Sequence, residues 1–271
     1  MVTGILGKIT VKQFITNRKN QKIVLLVEIS SNQKGLAFVM PGLGGFKEQD
    51  HIQTFADAFQ EEGFTVVRFD TTNTLGSGES DGKYEDATTT NYVEDLEDVI
   101  TWAKSQSWYE EPFWLCGHSL GGMSTILFAE KYPLKVKGLA PISTVVSGKI
   151  SFDSPKYRGN NILKMWKESG WRIEESKSQP GLIKKLKWSH MEDRLKYDVL
   201  PNVKKLQMPV LLIVGDQDDS TPPEHQNMLF DHLHGEKEMH IIKQAPHTFR
   251  DKEQLKEIKK IIKQWIRKNQ T

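Results

Sequence analysis

The chain has 271 residues, 37 Lys and Arg against 35 Asp and Glu, 37% apolar residues and one cysteine, Cys116. That length suits one large α/β domain with an insertion and buries a core without a metal or disulfide staple. The balanced charge gives no general attraction to nucleic acid, the lone cysteine excludes an intramolecular disulfide and fits a reducing compartment, and no apolar run nears the roughly 18 residues of a spanning helix. The opening "MVTGILGKIT" has no basic stretch followed by an apolar one, so no secretory signal is expected. The chain reads as cytoplasmic, with no nucleic-acid or membrane partner.

Residues 8–16 and 22–30 read as two strands joined by the polar "NRKNQ" turn. "GLAFVM" (35–40) reads as a buried strand. Ile52, Phe55, Ala56 and Phe59 then sit at helical spacing, with Gly63 as a C-terminal cap. "FTVVRFD" (64–70) is the next strand, and Val93, Leu96, Val99, Ile100 and Ala103 mark an amphipathic helix. "PFWLC" (112–116) is a short strand, followed by a helix over 120–132 that Pro133 stops. "VKGLAPIS", "PVLLIVGD" (209–216) and "EMHIIK" supply three more strands. The last helix carries Leu255, Ile258, Ile261, Ile262, Trp265 and Ile266 on one face. Strands alternating with helices predict an α/β fold: a mostly parallel, doubly wound sheet covered on both faces, with its chemistry at the carboxyl ends of the strands.

Residues 147–195 break the alternation. They contain no clear buried strand and hold three of the seven tryptophans, so a helical cap inserted into a core of 1–146 and 196–271 is predicted. Trp166, Trp171 and Trp188 have two readings: bulk for a thin cap, or the lining of an apolar substrate cleft beneath it. From Lys149 to Asp198 there are 12 Lys and Arg against 7 Asp and Glu. A solvated face accounts for that excess; attraction of anionic substrates is the sharper alternative.

"WLCGHSLGGMS" (114–124) places Gly117, Ser119 and Gly121 in a G-x-S-x-G pattern between a strand and a helix. That context is where a nucleophile elbow lies: a sharp turn exposes the serine hydroxyl, and the flanking glycines keep side chains off the neighbouring backbone. The helix beginning at Leu120 also directs free N–H groups at the space above the serine. A serine hydroxyl needs a base. Of the eight histidines, His247 in "KQAPHTFRD" follows the last strand and precedes the final helix, at the correct edge of the sheet. His118 neighbours Ser119 but is expected to point away from it. An orienting carboxylate is needed in turn, and "LLIVGDQDDSTPPEH" offers Asp216, Asp218 and Asp219, which position alone does not separate.

With these segments the chain resembles the α/β-hydrolase family, over nearly its whole length. The likeness is to capped esterases grouped with cinnamoyl/feruloyl esterases, monoacylglycerol lipases and serine-aminopeptidase-like hydrolases. "RFDTTNTLGSGESDGKYED", "VEDLEDVITWAK", "LCGHSLGGM", "KYPLKVKGLAPIS", "GDQDDSTPPEH" and "APHTF" carry it. The family places its catalytic acid in G-x-x-D-x-x-V-P; Gly215, Asp218, Thr221 and Pro222 stand there, which selects Asp218. The resemblance also implies an oxyanion hole from the Leu43 and Leu120 N–H groups. Two departures alter the rim. Pro41 replaces the usual histidine in "MPGLGGF", and "DTTNTLGSGES" lacks the Arg and His of the family's D-x-R-G-H-G-x-S and is longer by two residues.

The expected activity is hydrolysis of a small-molecule carboxylic ester through an acyl-enzyme on Ser119, without cofactor or metal, by a monomer or homodimer. A thioesterase, amidase or peptidase would use the same residues. A catalytically silent hydrolase-like binding protein is the alternative from a different class.

Overall fold

The computed structural model describes residues 2–5, 8–159, 161–176 and 181–270. Four runs belong to the parallel part of the sheet: β4 (Gly35–Met40), β5 (Phe64–Phe69), β6 (Phe113–His118) and β10 (Val210–Gly215). Each is buried along its whole length, as expected of strands covered on both faces. Completing the sheet are β1 (Val2–Ile5), β2 (Lys8–Thr16), β3 (Lys22–Ser30), β7 (Val136–Ile142) and β11 (Lys237–Ile242). The order is β1-β2-β3-β5-β4-β6-β7-β10-β11. The first three strands run antiparallel to their neighbours; from β5 to β11 all pairs are parallel. β1 is an edge strand that the sequence reading did not include.

Because successive strand residues face opposite sides, β4 divides its side chains between two cores. Leu36, Phe38 and Met40 join the core beneath α2 (Thr89–Ala103), α3 (Leu120–Lys131) and α6 (Pro223–His232). Ala37 and Val39 join the other, under α1 (Asp50–Glu61) and α7 (Lys252–Asn269). On α7, Ile258, Ile262, Trp265 and Ile266 are buried, the face read from their spacing. Burying a large apolar side chain contributes roughly 1.5–3 kcal/mol, so this stripe rather than helix propensity holds α7 in place. The helix ends are satisfied locally: the Thr88 hydroxyl accepts from Asn91 N–H, and the Asp251 carboxylate from Glu253 and Gln254 N–H.

The segment between β7 and β10 leaves and re-enters the core at one point, where Ser147 bridges Asp198 and Val199 N–H donates to the Val146 carbonyl. It contains α4 (Ile162–Ser169), a hairpin of β8 (Trp171–Glu175) and β9 (Ile183–Lys187), and α5 (Ser189–Arg194). The helical insertion expected from the sequence also contains that hairpin, which the sequence reading did not include. Its strands, "WRIEE" and "IKKLK", are rich in charge and only Leu186 is buried, so neither gives an apolar alternation to read. Residues 160 and 177–180 of the segment lie outside the described residues. Among the described residues no helix is long and apolar enough to cross a membrane.

Candidate active site

Ser119 sits between β6 and α3 with φ 56° and ψ −115°, a strained conformation for a residue with a side chain. Its surroundings hold it there. Its N–H donates to the Ile142 carbonyl at 2.9 Å, and its own carbonyl accepts from Met123 and Val145. The two flanking glycines are required by backbone contact. A Cβ on Gly117 would lie 2.4 Å from the Gly121 carbonyl oxygen, and one on Gly121 would lie 2.4 Å from that of Pro41.

His247 and Asp218 reach this serine from two other strand ends. His247 Nε2 is 2.9 Å from Ser119 Oγ, and its Nδ1 is 2.8 and 3.0 Å from the two carboxylate oxygens of Asp218. Close packing of the two loops brings them together: a Cβ on Gly215 would fall 2.0 Å from the Ala245 carbonyl oxygen, and Gln217 N–H donates to that same oxygen. Of the three aspartates the sequence left open on position alone, Asp216 and Asp219 are exposed, whereas Asp218 is buried. Burial by itself would raise the Asp218 carboxyl. The adjacent His247, by charge and hydrogen bond, and the N–H groups of Thr221 and Ser220 outweigh it and hold the group well below the usual carboxylate range. The Thr221 hydroxyl is within 2.9 Å of both Asp218 Oδ2 and the Ser143 carbonyl, tying the acid to the end of β7.

The loop after β4 closes the other side. Gly42 packs so near that a Cβ on it would be 2.9 Å from the Cβ of Ser119. Among the described residues the N–H groups of Leu43 and Leu120 have no hydrogen-bond acceptor; Leu120 opens α3, where such groups are free by construction. Pro41 fits because its carbonyl, not its missing N–H, makes the contact with Gly121.

Several polar residues at the site were not singled out from the sequence. The buried Tyr92 hydroxyl donates to the Gly42 carbonyl at 3.1 Å and accepts from Gly44 N–H at 3.2 Å, so it pins both residues flanking Leu43. Burial pushes its pKa up to about 12, so it remains a neutral phenol. Lys47, fully buried, has its ammonium on Asp70 and Glu79 while its N–H donates to Asp70. Glu79 comes from the loop that departs from the family pattern. His118 does turn aside from Ser119, but its Nε2 donates to the His247 carbonyl at 2.8 Å. Burial, with His247 nearby, pushes His118 down to about 3 and keeps it neutral. A tyrosine on the apolar face of α2 is the one legible hint among them: its polar tip, buried, needs partners.

The tryptophans separate. Trp166 is 1% exposed, its indole N–H donates to the Leu186 carbonyl, and it packs edge-on to Trp188 and parallel to His190. A ring so enclosed has no face free for a ligand, which corrects its expected place in the cleft: it packs inside the segment between β7 and β10. Trp171 is exposed on β8 with the Lys187 ammonium over its ring, and Trp188 is half-buried.

Residues 31–253 match the family model of the serine aminopeptidases, S33. The chain is an α/β-hydrolase of that family. A 31.7 kDa protein of the Escherichia coli traX–finO intergenic region is 27% identical to this hydrolase over 224 residues, covering 72% of this chain and 77% of the relative. A proline iminopeptidase of Chitinophaga pinensis is 31% identical over 121 residues, covering 45% and 39% of the two chains. Among solved structures, Est1E from Butyrivibrio proteoclasticus with ferulic acid bound superposes with a TM-score of 0.74 at 21% identity, covering 99% of this chain and 98% of that one. Mouse α/β hydrolase domain-containing protein 10 gives 0.76 at 18% identity, with 95% and 99% covered. These likenesses establish the fold.

Proposed function

We propose that this hydrolase cleaves carboxylic esters through an acyl-enzyme on Ser119. The observation that carries this reading is the continuous hydrogen-bonded line from Ser119 Oγ through His247 to the buried Asp218, facing two unengaged N–H groups. His247 takes the Ser119 proton as the oxygen attacks the ester carbonyl, and Asp218 stabilises the imidazolium. The N–H groups of Leu43 and Leu120 receive the oxyanion, a contact whose loss typically costs about 10²–10³ in rate. His247 returns the proton to the leaving alcohol, and water, deprotonated by His247, then releases the acid.

The family name and the proline iminopeptidase match favour a peptidase as the second reading. An aminopeptidase must hold a substrate ammonium, and the charged side chains around the buried Arg194 are mainly cationic: the partly buried Arg172 and Lys156, beside Glu174. That electrostatic environment supports the ester reading. Rates for wild type and Ser119→Ala on neutral aryl esters and on aminoacyl anilides test both. The expected result is ester turnover abolished by the substitution; anilide turnover without ester turnover would transfer the assignment to the peptidase.

A further inference from the structure

Arg194, the last residue of α5, is 8% exposed, and its Nε has no hydrogen-bond partner. Among the described residues no carboxylate pairs with its guanidinium. The acids nearby are engaged elsewhere: Asp193 accepts from the N–H and hydroxyl of Thr90, and Glu174 takes the guanidinium of Arg172. Asp198 accepts from the Ser147 hydroxyl and Leu200 N–H. A guanidinium does not escape burial by losing its proton, and an uncompensated buried charge is strongly destabilising.

Its position relates it to the site. Asp193 clamps α5 to the first turn of α2, two residues before Tyr92, whose hydroxyl pins the Leu43 loop. The groups that act electrostatically on Arg194 are Tyr157, Arg172, Tyr84 and Tyr92. The Tyr84 ring lies 3.0 Å from where a Cβ on Gly44 would be. Arg194 therefore lies where the cap meets the oxyanion loop. Further cations stand behind it. Arg172 donates to the Tyr157 hydroxyl, and burial, reinforced by Arg172, pushes the Lys156 ammonium down to about 8. His190, one turn earlier on α5, is buried and neutral: its Nδ1 donates to the Ala87 carbonyl, and it adds no compensating charge.

We propose that Arg194, backed by Arg172 and Lys156, binds an anionic oxygen group, carboxylate or phosphate, on the ester whose carbonyl sits at Ser119. This rests on the esterase reading, and it assigns the substrate class: an ester that carries a negative charge away from the scissile bond. The anion is bound and not transformed; the reaction remains addition of water across the ester. A bound anion supplies the counter-charge that no carboxylate among the described residues gives the Arg194 guanidinium.

Three matched pairs locate the charge. p-Nitrophenyl butyrate beside mono-p-nitrophenyl succinate places it on the acyl side. Phenyl butyrate beside 4-butyryloxybenzoate places it on the alcohol side, and 1-butyrylglycerol beside its 3-phosphate tests a phosphate. Wild type is expected to favour the anionic member of at least one pair by about tenfold or more in kcat/KM, and Arg194→Gln to reduce that preference about 10–100-fold, the range for a charge-assisted contact. The readout is the ratio of anionic to neutral kcat/KM within each pair, so a general loss of rate in the variant cancels. Preference for the neutral member in every pair, or an anionic preference that Arg194→Gln leaves intact, overturns the proposal. If neutral esters are not turned over above the Ser119→Ala rate, the esterase reading fails instead, and binding still decides the anion site. Succinate or glycerol phosphate should raise the melting temperature of wild type relative to chloride at equal ionic strength, and leave Arg194→Gln and Arg194→Met unmoved. No anion-specific rise in wild type, or an equal rise in the variants, also overturns it.

Discussion

Tyr92→Phe removes one oxygen atom and leaves the ring packed on α2. Two hydrogen bonds go with it, one to the Gly42 carbonyl and one from Gly44 N–H. At about 1 kcal/mol each, with some added cost for buried groups left unpaired, the loss is roughly 2–3 kcal/mol of stability. For a chain of this size that lowers the melting temperature by roughly 4–12 °C. The kinetic effect is smaller than deletion of an oxyanion donor, because the Leu43 N–H remains and only its aim is loosened. A fall in kcat of about tenfold is expected, with KM on a neutral aryl ester changed less than about twofold. Because the phenol is neutral up to about pH 12, the ratio of wild-type to variant rates should not vary across the assay range. Steady-state kinetics together with a thermal melt measure all three quantities. An unchanged kcat with the full loss of stability would refute the reasoning: Tyr92 would then serve the fold and not the loop.

Asp218→Asn should lower kcat by about 10³–10⁴, since a neutral amide neither orients nor stabilises the imidazolium. The same residue governs acid stability. Its pKa is depressed in the folded state, so its contribution is fully present above the unfolded value of about 4 and is lost as pH falls toward the folded value. Chemical denaturation below pH 4 should therefore steepen the loss of stability in wild type relative to Asp218→Asn, and parallel curves would contradict the assignment. Gly121→Ala forces a methyl against the Pro41 carbonyl and should destabilise by roughly 1–3 kcal/mol or more while displacing the oxyanion loop; a variant with wild-type melting and rate would contradict the geometry. Cys116, buried on β6 with its thiol pKa raised by desolvation, should resist iodoacetamide until the protein unfolds. Mass spectrometry of the native protein checks this.

The parts legible in the sequence are those with local signatures. β4 and β10 announce themselves as unbroken apolar runs, and β5 and β6 as largely apolar ones, because both of their faces are covered. The elbow is legible because a strained serine between a strand and a helix forces glycine on both sides. His247 follows from its place at a strand end, and Asp218 is separated from its neighbours by burial, which the family pattern anticipated and local position did not. What stayed hidden depends on contacts distant in the chain. Lys47 meets Glu79, Tyr92 meets Gly42 and His118 meets the His247 carbonyl across gaps of 32, 50 and 129 residues. No local pattern marks such pairs. The β8–β9 hairpin was illegible for another reason: a two-stranded ribbon with little buried face needs no apolar alternation.

Labelling with a fluorophosphonate tests the central assignment most directly, because the probe needs an activated serine and an oxyanion hole but no particular substrate. Wild type should take up one equivalent, recovered by peptide mapping on Ser119, and Ser119→Ala should take up none. An adduct on another residue, or an unlabelled wild type that is fully folded, would contradict Ser119 as the nucleophile.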